Sequence, residues 1–360
     1  MTFTRLINIT LLGVIMSGTF AGVLLLQPQI PASAKGMGEE KKGGNHVHFC
    51  TDTANAQLSA CRNEVLDDFN KANAICIQVL DKGERTECVN DAKAARKEGD
   101  QLCKEQHDAR LDLCDAIGED RYDPNFDPEL FDEDFTNLTS PNPYFPLDIG
   151  NMWEYVGGDE ENTVVVLADT KLILGVTCIV VNDLVVNNVS GSREDTNDWF
   201  GQRKDGTVDY CGEESKDFEL FEGDNPMIPE LVSIDGSFKA GRDGDLSGTI
   251  VLGTPTEGTT YRQEFSAGNA EDAATVLSVN YGFGSDPELD QFVPKALAEL
   301  LCADDCVVTL DFSPISPDAF ERKYYANGIG LFLEVNPSSG DINQLVNCNF
   351  DSRCSSLPTP

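Results

Sequence analysis

Residues 50–114 read CTDTANAQLSACRNEVLDDFNKANAICIQVLDKGERTECVNDAKAARKEGDQLCKEQHDARLDLC. The cysteines stand at Cys50, Cys61, Cys76, Cys88, Cys103 and Cys114, with steps of 11, 15, 12, 15 and 11 that read the same from either end. Folding the stretch at residue 82 faces Cys50 with Cys114, Cys61 with Cys103, and Cys76 with Cys88, and the two numbers of each pair sum to 164. A constant sum is the condition for an antiparallel helical hairpin, because residue i on one helix then meets residue 164 minus i on the other. At about 100° per residue, steps of 11 and 15 drift by only about 20° and about 60°, so the cysteines keep to one helix face.

The flanking pattern agrees. Ala54, Leu58, Cys61, Val65, Phe69, Ala72, Cys76 and Val79 recur every three or four residues and predict a first helix over about 51–80. Cys88, Ala92, Ala95, Gly99, Leu102, Gln106, Ala109 and Leu113 do the same for a second over about 84–117. Asp81-Lys82-Gly83 is the expected turn, with Gly83 suited to a left-handed cap, and Gly118 is the expected stop. Small alanines let the helices approach to the roughly 4.4–6.8 Å between Cα atoms that a disulfide needs. A cluster of six metal-bound thiolates is disfavoured, since no Cys-x2-Cys pair occurs and an oxidising compartment is expected.

That compartment follows from the amino terminus and the cysteine count. Arg5, the apolar run Leu6 to Leu26 and Ala32-Ser33-Ala34 have the form of a signal peptide over residues 1–34, cut before Lys35. Twelve cysteines suit a periplasmic or extracellular protein, and no later apolar run reaches the roughly 20 residues of a membrane span. The signal segment holds one base and no acid, so its removal takes the net charge from −36 to −37 over 326 remaining residues. Such an excess argues against nucleic acid or an anionic membrane as partner.

Residues 35–48 read as a flexible, Gly- and Lys-rich tether. His46 and His48 lie close to Cys50, a weak copper- or zinc-binding pattern, but the nesting already uses that cysteine. After the hairpin of residues 49–118, residues 119–143 read as an acidic, Pro-containing linker: eight of the seventeen residues from Glu119 to Phe135 are acidic. Asp123, Asp127, Asp132 and Asp134 lack the spacing of an EF-hand loop. From residue 144 to 360 the pattern is strand. Thr163–Leu167 and Lys171–Val181 are apolar and β-branched, with Ala168-Asp169-Thr170 as an expected tight connection. Lys204-Asp205-Gly206 marks a hairpin turn, and Asp286–Leu301 is the one expected helix. The fold class is therefore α+β: a disulfide-stapled antiparallel helical hairpin, then a curved antiparallel β-sheet domain.

Asn142–Tyr155, Glu194–Gln202, Tyr261–Glu264 and Lys323–Gly330 resemble stretches shared by uncharacterised bacterial secreted β-rich proteins with a Phe-Pro-Leu…Gly…Trp-x-Tyr opening. The resemblance spans about residues 142–335 and implies a curved antiparallel sheet and a bacterial source, with no activity to carry over. Tyr210-Cys211 departs from the aromatic pair that the resemblance implies, which suggests a disulfide from Cys211 to Cys178. For the last four cysteines, Cys302–Cys306 and Cys348–Cys354 are the simplest pairs, with crossed pairs between tail and helix as the alternative.

All three histidines, His46, His48 and His107, precede residue 119, so the β region offers no Ser-His-Asp triad, Cys-His dyad or His-ligated zinc. Carboxylate chemistry is left, and no pair stands out among 62 acidic residues. Asp243 and Asp245, in a Gly-rich stretch, offer a calcium loop or a plain long turn; no other cofactor is expected. Trp153, Tyr155, Trp199, Tyr210, Tyr261 and Tyr325 are the candidate ligand-binding residues if the sheet curls round a pocket, with part of them serving as core. The leading expectation is an exported, non-catalytic binding protein for a small apolar or amphipathic molecule. Its alternatives are a structural or cell-surface protein that meets another exported protein, or cations, through its acidic surface, and a carboxylate-based hydrolase.

Overall fold

The computed structural model describes residues 47–360. The expected signal peptide, most of the tether and His46 lie outside the described residues. The chain divides into two compact units: residues 47–123 with Pro314–Pro317, and Pro124–Ser313 with Asp318–Pro360.

The first unit is the expected antiparallel pair, α1 (Phe49–Ile77) and α2 (Lys82–Ile117). Three nested disulfides cross it, Cys50–Cys114, Cys61–Cys103 and Cys76–Cys88, with Cα atoms 5.6, 5.7 and 5.6 Å apart. Ala54 and Ala92 are buried on the facing stripes, while Val65, Phe69 and Leu102 are only half-buried. A helix pair with so thin a core depends on its crosslinks, each worth about 2–4 kcal/mol. The turn differs from the sequence expectation. Asp81 caps α2, its side chain accepting from the amides of Gly83 and Glu84, so Gly83 sits inside the first turn instead of in a left-handed cap. At the open end Glu119 accepts from the Thr51 amide at 3.0 Å.

The second unit is an antiparallel sheet built from β1 (Met152–Gly157), β2 (Glu160–Ile173), β3 (Val176–Asn187), β4 (Arg193–Gln202), β5 (Val208–Glu214), β6 (Asp217–Glu219), β7 (Glu230–Ser233) and β8 (Leu246–Val251). It continues with β9 (Thr260–Arg262), β10 (Glu264–Phe265), β11 (Ala273–Tyr281), β12 (Cys306–Ser313), β13 (Ser316–Ala326), β14 (Gly330–Val335) and β15 (Ile342–Cys348). The order is β10-β8-β5-β4-β3-β2-β1-β15-β14-β13-β12-β11-β9, with β6 and β7 branching from β4. The two ends of that path, β9 and β10, are parts of one short segment with Gln263 between them. That segment pairs with β11 on one side and β8 on the other, which all but closes the sheet.

Gly248 permits the closure. A Cβ there would lie 2.2 Å from the carbonyl carbon and oxygen of Gln263, so only glycine lets β8 pass the crossing segment. Elsewhere the strands depart from the sequence reading in instructive ways. Ala168-Asp169-Thr170 is a bulged part of a continuous β2, and the chain reverses at Leu174-Gly175, both with positive φ (50° and 90°). Leucine is a poor turn residue, so composition hid the turn. The expected helix over 286–301 is confined to α3 (Lys295–Leu301), after turns around Asp286 and Asp290.

The stretch expected as a linker is part of the β unit from Pro124 onward. Phe131 and Phe135 are buried, the Asp132 amide donates to the Gln202 carbonyl, and the Lys204 amide to that of Leu130. Its acidic residues masked two core aromatics. Within this unit Cys178–Cys211 ties β3 to β5, Cys302–Cys306 follows α3, and Cys348–Cys354 holds the tail; all twelve cysteines are paired. Such a complement fits an exported protein. No helix among the described residues is long and apolar enough to cross a membrane.

Gly248→Ala is expected to lower the stability of the β unit by about 3 kcal/mol, the upper range for overpacking against an unyielding backbone. Denaturant unfolding followed by tryptophan fluorescence checks it, since both tryptophans, Trp153 and Trp199, lie in this unit.

Candidate functional site

Alternation along β1 to β5 sends one side chain in two to the interior, and the register lines these up in rows. One row runs Trp153, Val164, Asp183, Thr196; the next runs Tyr155, Asn162, Val185, Glu194; a third runs Val166, Val181, Asp198, Glu213. Each row begins apolar and ends polar. The interior thus has an apolar wall on β1, β2 and β3, broken by Asn162 and Asp183, and an acidic wall on β4 and β5.

Where the walls meet lies a cavity of about 50 Å³. Trp153, Tyr155, Val164, Val166 and Val181 form its apolar side, Phe145, Pro146 and Leu147 cover it, and Asn162, Asp183, Glu334 and Asn343 form its polar end. The Trp153 indole donates to the Ile329 carbonyl at 2.8 Å and the Tyr155 hydroxyl to that of Leu331 at 3.0 Å, so both rings are held in place by their polar tips. Asn162 Nδ2 donates to Asp183 Oδ1 and Asn343 Nδ2 to Glu334 Oε2, each at 2.9 Å. Asn162 Oδ1 and Asp183 Oδ2 have no partner.

Beyond the cavity the interior carboxyls form two groups. On the β4–β5 side the Tyr210 hydroxyl meets Asp198 and, at 2.6 Å, Glu213 Oε2. A hydroxyl carries one proton, so contact with both acids requires one carboxyl to hold a proton of its own. Glu194 accepts from Thr196 at 3.1 Å and from Ser215 at 3.2 Å, yet burial and the neighbouring Asp217 push its carboxyl up to about 7. On the opposite side Lys323, with 2% of its side chain exposed, has Nζ 3.3 Å from Glu334 Oε1 and 3.7 Å from Asp311 Oδ2. Burial pulls the lysine down, but Glu334, Asp311, Glu321 and Asp272 outweigh it and hold it charged. Burial raises Asp183, Glu213 and Glu264 well above the ordinary carboxylate range, and it also raises Asp198 and Asp272.

Of the six expected aromatic site residues the structure brings Trp153 and Tyr155 to this cavity. Tyr210 is spent on the acid pair and stacks on Phe200 at 5.0 Å. Trp199 lies in a separate cluster with Phe131, Ile173 and the Cys178–Cys211 bridge, and Lys171 Nζ stands 3.2 Å above its ring. Tyr261 reaches the Ile250 carbonyl at 3.4 Å, and Tyr325 is core. His48 stands exposed just before α1, with the nearby Cys50 in a disulfide. Asp243 occupies a turn with φ 54°, and Asp245 turns inward, its carboxylate 3.4 Å from the Lys239 amide. Among the described residues no three His, Cys, Asp or Glu side chains are grouped so as to hold a metal ion. A scan against protein-family models and searches of curated proteins and of solved structures return no match.

Asn162, Asp183, Glu334 and Asn343 escaped the sequence reading. For Asp183 a signal was present: in Val180-Val-Asn-Asp-Leu-Val-Val186 two consecutive polar residues cannot both face outward from a strand.

Two measurements test the interior. In the unfolded chain Glu194 titrates near about 4.3, whereas folded it holds its proton to about 7. Stability is therefore fullest below the unfolded value and is lost as pH rises through 7, and the other raised carboxyls act in the same sense. The thermal midpoint should fall from pH 5 to pH 8, and Glu194→Gln should recover roughly 3 kcal/mol at pH 8; a rising midpoint contradicts this. Lys323→Met should cost about 3–5 kcal/mol at neutral pH, because it strands buried carboxylates, as denaturant midpoints would report.

Proposed function

We propose that the protein is an exported, non-catalytic binding protein, periplasmic or extracellular, whose β unit holds a small amphipathic molecule in the interior cavity. One observation carries this reading: an apolar wall of Trp153, Tyr155, Val164, Val166 and Val181 runs into buried polar groups with unused hydrogen-bonding capacity. Buried polar atoms without partners are costly in a protein core, at about 1–3 kcal/mol each. They are accounted for when a ligand completes them.

The size of the cavity restricts the ligand. About 50 Å³ is a third of the roughly 150 Å³ of an apolar cavity that takes up benzene. A bulky lipid does not fit between these side chains, and a molecule of a few heavy atoms does. Carboxylate-based hydrolysis finds less support. Asp198 and Glu213 meet through the Tyr210 hydroxyl and are 2% and 1% exposed, whereas glycoside hydrolysis needs two carboxyls across a gap that admits substrate.

Native mass spectrometry of protein purified from its own compartment is expected to show a small adduct. Val166→Phe, which fills the slot, should abolish that adduct. An unmodified mass from every preparation, together with no uptake of added small amphiphiles, would overturn the reading.

A further inference from the structure

The hydrogen-bond inventory at the polar end of the cavity says what kind of head group belongs there. Asn162 Nδ2 donates one hydrogen to Asp183 Oδ1, and Asn343 Nδ2 donates one to Glu334 Oε2. What remains without a partner is Asn162 Oδ1 and Asp183 Oδ2, on residues 5% and 4% exposed. Both are oxygens. With Asp183 ionised, a carboxylate, phosphate or keto head group would set lone pairs against lone pairs at these two atoms, and a donor completes them.

Charge points the same way. Asp198 and Glu194 on β4 and Glu334 on β14 act on Asp183, all three acidic. The buried cation Lys323 is engaged by Glu334 and Asp311. From these observations we propose that the cavity is an ammonium site: the ligand is a small alkylamine whose charged N–H group binds Asp183 and Asn162 while its alkyl group lies against Val164, Val166 and Val181. This rests on the cavity being the binding site and adds the chemical class of its occupant. An alcohol can donate one hydrogen but brings no charge to the acidic wall.

The assignment has a consequence for protons. Burial first and the acids of β4 and β14 second raise the Asp183 carboxyl well above the ordinary carboxylate range. A bound ammonium favours the ionised carboxyl, so binding draws the Asp183 proton off and strengthens as pH rises. A neutral amphiphile has no such dependence.

The test is isothermal titration of the full-length exported protein with methylammonium, methanol and formate at fixed ionic strength, across pH 5.5 to 8. Methylammonium should bind at least about tenfold more tightly than either analogue, the discrimination expected of a charge-assisted hydrogen bond. Its affinity should rise with pH, and Asp183→Asn should bring it down to the level of methanol. The pH dependence is read on the wild type, so the proposal stays testable even if Asp183→Asn fails to fold. Binding of methanol as tight as that of methylammonium, or a preference unchanged in Asp183→Asn, overturns the ammonium assignment and leaves the cavity reading intact, provided Val166→Phe abolishes uptake. Binding of methylammonium that persists in Val166→Phe belongs to the acidic surface and overturns the assignment. Failure of all three probes to bind overturns both.

Discussion

A carboxyl taken out of water must keep a proton, gain a donor or meet a cation, and this constraint governs the β unit. It arises where the segment holding β9 and β10 crosses Gly248 and joins the two ends of the sheet. An open sheet would leave the inner faces of β3, β4 and β5 wet, and Asp183, Glu194, Asp198 and Glu213 would be ordinary surface acids. Closed, the same residues lie 1–6% exposed. Each local arrangement inside answers the same need: Tyr210 between two carboxyls, Thr196 and Ser215 on Glu194, and Lys323 between Glu334 and Asp311.

The two units are stabilised by opposite means. In the hairpin the facing stripes are alanine and cysteine, little area is buried, and covalent crosslinks limit the unfolded chain. In the β unit, one large apolar cluster spans most strands, and the three disulfides are local or join strands already in one sheet. Its stability is set by apolar burial against the cost of the enclosed acids.

The hairpin was legible in the sequence because disulfide pairing in two antiparallel helices is arithmetic. A constant sum of residue numbers fixes the axis of the fold, and helical periodicity then fixes the face. The β region was legible only as a class. Val-rich runs and the Asp205-Gly206 turn identify strands, but closure depends on Gly248 meeting the backbone of Gln263, a contact between distant residues that no local pattern encodes. Leu174 hid a turn because its positive φ is enforced by the paired strands and not by its own preference. The site was half legible. Trp153 and Tyr155 were singled out as aromatics, whereas Asn162 and Asp183 become site residues only once the register places them opposite Tyr155 and Val164. A polar residue in a strand reads as solvent-facing until the face is known, and bulges such as that between Val166 and Thr170 shift the face along a single strand.

The interior combines apolar and acidic walls, and each constrains what the other can enclose. A cavity lined by valines alone would be selective for shape and indifferent to charge. A wall of carboxyls alone would be hydrated or unfolded. Setting the two at an edge leaves a cavity that is apolar on one side and polar on the other, and under the proposed function an occupant with an alkyl group and a proton-bearing head completes it at least cost. The same logic explains why Lys323 does not reach across to Asp183: held between Glu334 and Asp311, it neutralises the β11–β14 side and leaves the β3–β4 side short of positive charge. That deficit gives the cavity its direction, apolar at Trp153 and electronegative at Asp183.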